Sequence, residues 1–224
     1  MEITTTRAEF KQRAKTTLKG NYWYAFGVTI LVLLISGIAE GIVQLIAKGS
    51  DGGTGIAGIL SAVITLFVSI PLGVGVNRFF IKISQGNIPQ VSDVFYVYKS
   101  GLLNTIIVMV VQGIFIFLWS LLLVIPGIIK SYQYFMIDYL LADNPNLNRK
   151  RAFEITKAMM RGNKWRTFVL GLSFILWILL CAATCGIGYF FLAPYVNTTF
   201  AHYYLEMKQK AIESGVASAE ELNA

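Results

Sequence analysis

The feature that most constrains this chain is a series of apolar runs, several long enough to cross a bilayer, with nearly all charge collected between them. A hydrocarbon core of roughly 30 Å takes about 20 apolar residues as a helix. Only helices and closed barrels satisfy their backbone hydrogen bonds there. The first run, Tyr22 to Ala47, opens on Tyr22, Trp23 and Tyr24, an aromatic belt suited to headgroup level. Ser50-Asp51-Gly52-Gly53 reads as a turn, and a second run extends from about Ile56 to Ile83, interrupted by Pro71. The third run begins at Leu102 and stays apolar through Ile129, too long for one span, until Pro126-Gly127 breaks it. That pattern predicts a tight hairpin: one helix from Leu102 to about Leu122, another from about Val124 to Ala142, ended by Asp143-Asn144-Pro145-Asn146. A fifth span runs from about Trp165 to Ala183, Cys185-Gly186-Ile187-Gly188 turns the chain, and a sixth reaches Met207.

Only 14% of the 224 residues are charged and 55% are hydrophobic. Soluble domains carry about 25% charge, so a soluble chain of this size could not cover itself. The expected fold class is all-α, a polytopic helical membrane bundle in one domain. Its parts are an amphipathic helix (1–21), hairpin one (22–83), a polar loop (84–101), hairpin two (102–142), a second amphipathic helix (143–164), hairpin three (165–207) and a tail (208–224).

Direction follows from Lys and Arg, which concentrate on the cytoplasmic side. With the N-terminus inside, that side holds 17 of the 19 basic residues: five before the first span, three around the second loop, seven around the third and two in the tail. Only Lys48 and Lys130 fall on the outer side. Both termini are then cytoplasmic, in a multi-pass protein of the cell membrane. The polar first 21 residues do not read as a secretory signal, so targeting falls to the first span.

An internal repeat runs through this pattern. At an offset of 142, Lys19-Gly20-Asn21-Tyr22-Trp23 matches Arg161-Gly162-Asn163-Lys164-Trp165, with Phe26 matching Phe168. A weaker third copy begins at Lys99-Ser100-Gly101. Each even-numbered span carries one proline, Pro71, Pro126 or Pro194, with Phe80, Phe135 or Tyr203 nine residues on. The three hairpins therefore read as parallel repeats, an arrangement known in transporters. In the repeated elbow, glycine ends the cytoplasmic helix in a left-handed conformation. Asparagine caps the next span, and tryptophan anchors it at the headgroups.

The cytoplasmic segments read as interfacial helices. Thr6-x-x-Glu9 is a capping box, Phe10, Ala14 and Leu18 form an apolar stripe, and Arg7, Lys11 and Lys15 line up beside it. Asn148 caps a second such helix, whose apolar face holds Ala152, Ile155 and Met159. Anionic headgroups of the inner leaflet are the partner this basic, amphipathic pattern predicts. A protein partner on the same helices is the second expectation. Net charge is +7, but each basic segment abuts an apolar helix, so nucleic acid is not an expected partner.

Ionisable groups at membrane depth are the candidates for chemistry. Glu40 and Lys130 both fall toward the outer side, where they could pair or each reach up to the headgroups. Asp138 lies nearer the cytoplasmic end, within reach of a base such as Arg78. No nucleophile elbow, His-carboxylate motif or phosphate-cradling loop appears. Cys181 and Cys185, one helical turn apart, and the lone His202 make no metal site, and Gly73-x-Gly75 and Gly186-x-Gly188 lack the strand a nucleotide fingerprint needs. No cofactor, catalytic residue or metal ligand is expected, and the chain is not read as an enzyme.

Several motifs carry a resemblance. They are Ala14-Lys15…Leu18-Lys19-Gly20-Asn21-Tyr22-Trp23, Ile125-Pro126-Gly127-Ile128-Ile129-Lys130-Ser131-Tyr132, Leu141-Ala142-Asp143-Asn144-Pro145, Arg161-Gly162-Asn163-Lys164-Trp165-Arg166 and Phe191-Leu192-x-Pro194-Tyr195. In that order and spacing they resemble the bacterial integral-membrane family of domain of unknown function 975, over nearly the whole chain. The resemblance implies a membrane fold and no activity; Asp138 stands where that family's pattern implies a small residue or proline. The function expected is non-enzymatic, an accessory, lipid-associated or immunity-type role in the bacterial envelope. The alternative is a small transporter or a lipid- or peptide-handling protein.

Overall fold

The computed structural model describes residues 3–48, 53–88, 90–184 and 186–222, and these are helical with no strand among them. The predicted turn at Ser50-Asp51-Gly52, and Pro89 and Cys185, lie outside the described residues. Helix α1 (Arg7–Leu18) starts at the capping box: the Thr6 hydroxyl accepts from the Glu9 amide, and the Glu9 carboxylate accepts from the Thr6 amide at 2.6 Å. Gly20 follows with φ +90°, and α2 (Tyr22–Lys48) begins two residues later. Helix α3 (Gly53–Ile64), a π-helical turn (Thr65–Ser69) and α4 (Ile70–Ser84) form one continuous rod.

The segment read as a loop is itself structured, as a 3₁₀ turn (Val91–Phe95) and α5 (Tyr96–Ser100). Helix α6 (Leu102–Leu122) turns directly into α7 (Val124–Gln133), and the closeness of that turn depends on Gly127, where a Cβ would overlap Ser120. Helices α8 (Ile137–Asp143), α9 (Arg149–Met160), α10 (Lys164–Leu172), α11 (Ile175–Ala183), α12 (Ile187–Glu213) and α13 (Ala219–Leu222) complete the order.

Four stretches are long and apolar enough to cross a membrane: Tyr22–Ile46, Ala57–Ser84, Leu102–Leu122 and Lys164–Ala183. The other two expected spans differ. The fourth is not one helix, because Tyr134–Met136 separates α7 from α8. Tertiary contacts hold that break: Tyr134 packs edge-on against Phe153 at 5.3 Å, and the Thr156 hydroxyl donates to the Gln133 carbonyl at 3.4 Å. The sixth runs unbroken through Pro194 and past Met207 to Glu213, and its polar second half keeps it out of the apolar set.

The amphipathic helices also sit differently from expectation. The apolar stripes of α1 (Phe10, Ala14, Leu18) and α9 (Ala152, Ile155, Met159) are buried by protein, with α1 against α12 and α4, and α9 against α7, α8 and α12. Lipid does not cover them. The tail is no free end either, since Ala217 and Leu222 are buried. The core therefore lies at the basic end of the bundle, around Phe79, Phe80, Leu140, Tyr203 and Tyr204, while the helices at the other end expose leucine and isoleucine.

The contacts close in a ring. The segment leading into each hairpin packs on the outgoing helix of another: α1 and α2 on α12, the 3₁₀ turn, α5 and α6 on α4, and α9 and α10 on α7. Near two prolines of the outgoing helices, tyrosines of these incoming segments donate to helix carbonyls. Pro71 has no N–H for the Phe67 carbonyl, and the Tyr98 hydroxyl donates to that oxygen at 2.9 Å. Near Pro194, the Tyr22 hydroxyl donates to the Phe191 carbonyl at 2.8 Å. Tyr98→Phe is expected to lower stability by about 1 kcal/mol, read as an earlier thermal transition in detergent. A transition at the wild-type temperature would mean that water already serves that carbonyl.

Candidate functional site

The ionisable side chains buried together are not those the spans advertise. At the basic end, where α4, α8 and α12 meet, the Lys208 ammonium donates to Asp143 Oδ2 at 2.5 Å and the Tyr204 hydroxyl donates to the same oxygen at 2.8 Å. All three residues are buried. Arg78 reaches in from α4, donating to the Ala142 and Asp143 carbonyls at 2.8 and 3.1 Å, with its guanidinium 3.5 Å from the Tyr96 ring centroid. These carbonyls belong to the last turn of α8, where unpaired oxygens and the helix dipole favour a cation.

A cavity of about 170 Å³ opens beside the cluster, lined by Arg78, Lys82, Gln85, Asp143, Lys208 and Leu222. Lys82 on its rim is paired with Asp93 at 2.5 Å. The site joins the second helix of each hairpin through hydrogen bonds, and it also holds the C-terminal segment. Lys208 donates to the Leu222 carbonyl at 2.9 Å, Asn144 to the Glu221 carbonyl at 3.0 Å, and Arg151 grips the Glu221 carboxylate through two nitrogens at 2.9 and 3.1 Å. Chemically this is a clamp.

The Arg151 hydrogen bonds, and then the Ser218 backbone, hold the Glu221 carboxyl below its ordinary 4.5. Because the docked pKa is the lower one, docking is fully supported at neutral pH and weakens as pH falls through that depressed value. Protection of residues 214–222 against hydrogen exchange is expected to fall as pH drops through that depressed value, and Arg151→Ala to lower it at neutral pH. Equal exchange in wild type and variant at pH 7 would show that the grip contributes nothing.

The predicted polar residues are dispersed. Glu40 accepts from the Ser61 hydroxyl at 2.6 Å, a contact within hairpin one, and does not meet Lys130. Lys130 lies over the Trp119 ring at 4.6 Å. Its other neighbours correct its placement: Lys130 and Lys157 lie 6.0 and 5.9 Å from the same Tyr134 ring centroid, and the charge of Lys164 also reaches it. Lys130 thus belongs with the basic end, not opposite it. Asp138 is half-buried and its Oδ1 has no hydrogen-bond partner among the described residues, while the Arg78 it was expected to approach bonds elsewhere.

The elbows agree in backbone and differ in side chains. Gly162 has φ +84° against +90° at Gly20, and Trp23 and Trp165 are 72% and 71% exposed. Asn163 does not cap the following helix as expected. Its side chain donates back to the Met159 carbonyl and accepts from the Ile3 amide, because the N-terminal segment lies across it. Asn21 is exposed. Pro71 and Pro194 sit within helical rods, whereas Pro126 occupies the first turn of α7, where a missing N–H costs no hydrogen bond.

Nothing in the sequence marks Asp143, Tyr204 and Lys208 as a unit. Asp143 stands in a helix-ending motif and Lys208 at the start of a polar tail, and a pair 65 residues apart leaves no local signal. Among the described residues, no three His, Cys, Asp or Glu side chains are placed to hold a metal ion.

No curated protein and no solved structure matches the chain. Residues 120–211, from the last turn of α6 to the last turns of α12, match a family described as "Protein of unknown function (DUF975)". The match starts after the N-terminal elbow motif, so it covers less of the chain than the resemblance implied. It does include α7 and α8, Asp143, the second elbow and Lys208, and residues 120–211 are therefore a domain of unknown function 975.

Proposed function

We propose that the chain is a non-enzymatic membrane protein of the bacterial cell envelope, with both termini cytoplasmic and an accessory, lipid-associated or immunity-type role. The carrying observation is the filled interior at the basic end. Phe79, Phe80, Leu140, Leu141, Tyr203 and Tyr204 pack where a transport path would need water, and cavities of about 170 to 490 Å³ border α1, α4, α10 and α12 without Glu40 or Lys130 in their walls. Native purification with mass spectrometry tests the role. Stoichiometric lipid or a co-purifying protein is expected, and substrate-dependent flux in proteoliposomes would sink it.

Three hairpins enter from the cytoplasmic face and follow the ring of contacts, and hairpins one and three cross the bilayer. The middle hairpin turns inside the hydrocarbon. Phe115 of α6 still packs against Phe153 and Tyr134 at the basic end, and Lys130 is only five positions from Ile125 at the tip. Five residues rise about 8 Å, far short of a core roughly 30 Å thick. The tip, Leu121 to Ile125, is aliphatic and about 70% exposed at each position, as a lipid-facing turn would be. Cysteine labelling tests this: Ser50→Cys should react from outside only, Ser214→Cys from the cytoplasm only, and Leu123→Cys from neither side. Labelling of Ser50→Cys from the cytoplasm alone would overturn the orientation, and of Leu123→Cys from outside the depth of the hairpin.

The interrupted helices give the transporter reading its one specific support, since the π turn at Thr65–Ser69 and the break at Tyr134–Met136 are features that substrate sites use. That reading requires Lys130→Ala to abolish flux while the protein still inserts.

A further inference from the structure

The largest of these cavities, about 490 Å³, is a groove between the first elbow and the third hairpin. Tyr22, Trp177, Phe191 and Tyr195 wall it, and Lys15 and Lys19 stand on its rim. Its two halves differ sharply in polarity. The walls are aromatic and open to the outside of the bundle, with Trp177 and Phe191 about half exposed. Both lysines are exposed, and neither has an ion-pair partner among the described residues. Trp23, beside Tyr22 and pointing outward, marks this level as the headgroup boundary.

The matching position at the second elbow is built otherwise. Lys157, which corresponds to Lys15 in the repeat, lies 5.9 Å from the Tyr134 ring centroid, while no aromatic ring lies over the Lys15 ammonium among the described residues. A groove with an apolar trough on the membrane side and two unpaired ammonium groups on the basic side matches one class of molecule in polarity along its length.

We infer that this groove holds an anionic phospholipid of the inner leaflet, its phosphate between Lys15 and Lys19 and an acyl chain along Tyr22, Trp177, Phe191 and Tyr195. The inference rests on the membrane reading above and deepens it, assigning the lipid a place and a headgroup charge. Basic residues at a membrane surface attract anionic lipid in general; the groove adds a fixed chain site, so selectivity depends on these two lysines more than on others.

The test uses the full chain in phosphatidylcholine vesicles containing brominated phosphatidylglycerol or brominated phosphatidylcholine, reading the fluorescence quenching that is lost on Trp177→Phe. Quenching at Trp177 is expected at a several-fold lower mole fraction of the brominated anionic lipid than of the zwitterionic one. Lys15→Gln with Lys19→Gln should remove that preference, Lys15→Arg with Lys19→Arg should keep it, and Lys150→Gln with Arg161→Gln, an equal loss of charge elsewhere, should leave it in place. Equal quenching by both lipids in wild type overturns the site while leaving the membrane reading intact, as does an equal loss in the control variant. No quenching by either lipid overturns both.

Discussion

Asp143→Ala is expected to destabilise the protein by about 3 kcal/mol or more, the cost of breaking a buried ion pair from one side. Asp143 Oδ2 receives both the Lys208 ammonium and the Tyr204 hydroxyl, and none of the three side chains is open to water. Removing the carboxylate leaves a buried donor at Tyr204 and takes away the anion nearest a buried ammonium. Both losses fall where α8 meets α12, so the C-terminal segment held by Lys208 through the Leu222 carbonyl should loosen too. Asp143→Asn keeps an acceptor for Tyr204 and should cost less. Asp143→Leu combined with Lys208→Met should recover much of the loss, because a buried pair replaced on both sides by apolar groups is often near neutral. Thermal unfolding in detergent reads all three, and a wild-type transition in Asp143→Ala would remove the clamp from the account.

The second large effect is expected at Gly75. A Cβ there would overlap the backbone carbonyl of Val94, so α4 and the 3₁₀ turn approach each other only because the residue has no side chain. Overpacking commonly costs about 1–3 kcal/mol, and Gly75→Val sets two methyl groups against main chain that no rotamer change can move. The 91–100 segment should detach, Tyr98 should leave the Phe67 carbonyl, and proteolysis should begin near that segment. Gly73→Val is the internal control, since a Cβ at Gly73 meets nothing within 4 Å and the residue is exposed. Equal effects at the two positions would show that general helix propensity, not the close approach, governs this strand of contacts.

The elbows show how far local reading reaches. A glycine after an amphipathic stretch and before an aromatic belt predicts a left-handed residue and an outward tryptophan, and Gly20, Gly162, Trp23 and Trp165 have that geometry. The capping box at Thr6 and Glu9 was equally legible, because its donors and acceptors lie within four residues. The apolar stripe of α1 was legible as a stripe but not as to its cover. Lipid and protein interior are comparably apolar, so periodicity marks a face without saying which of the two buries it. The match of residues 120–211 to the DUF975 family bears out the resemblance over that range.

The depth of Lys130 shows the limit from the other side. Hydropathy counts residues along a helix, and a helix assumed continuous from Val124 to Ala142 carries Lys130 to the outer end. Packing of Tyr134 on Phe153 breaks that helix and returns Lys130 to the side of Lys157.

That this chain is helical, that it carries apolar stretches long enough to cross a bilayer, and where its elbows turn were all legible in the sequence, although it read six spans where the structure has four such helices. Those properties arise among residues within a few turns of one another, through backbone hydrogen bonding, side-chain transfer energy and the freedom of glycine. Which helices close the ring, what covers the amphipathic faces, and that Tyr204 and Lys208 share one buried oxygen of Asp143 were settled by packing alone. Those outcomes depend on contacts across 61 and 65 residues of chain, where no local preference favours one partner over another until the helices have packed.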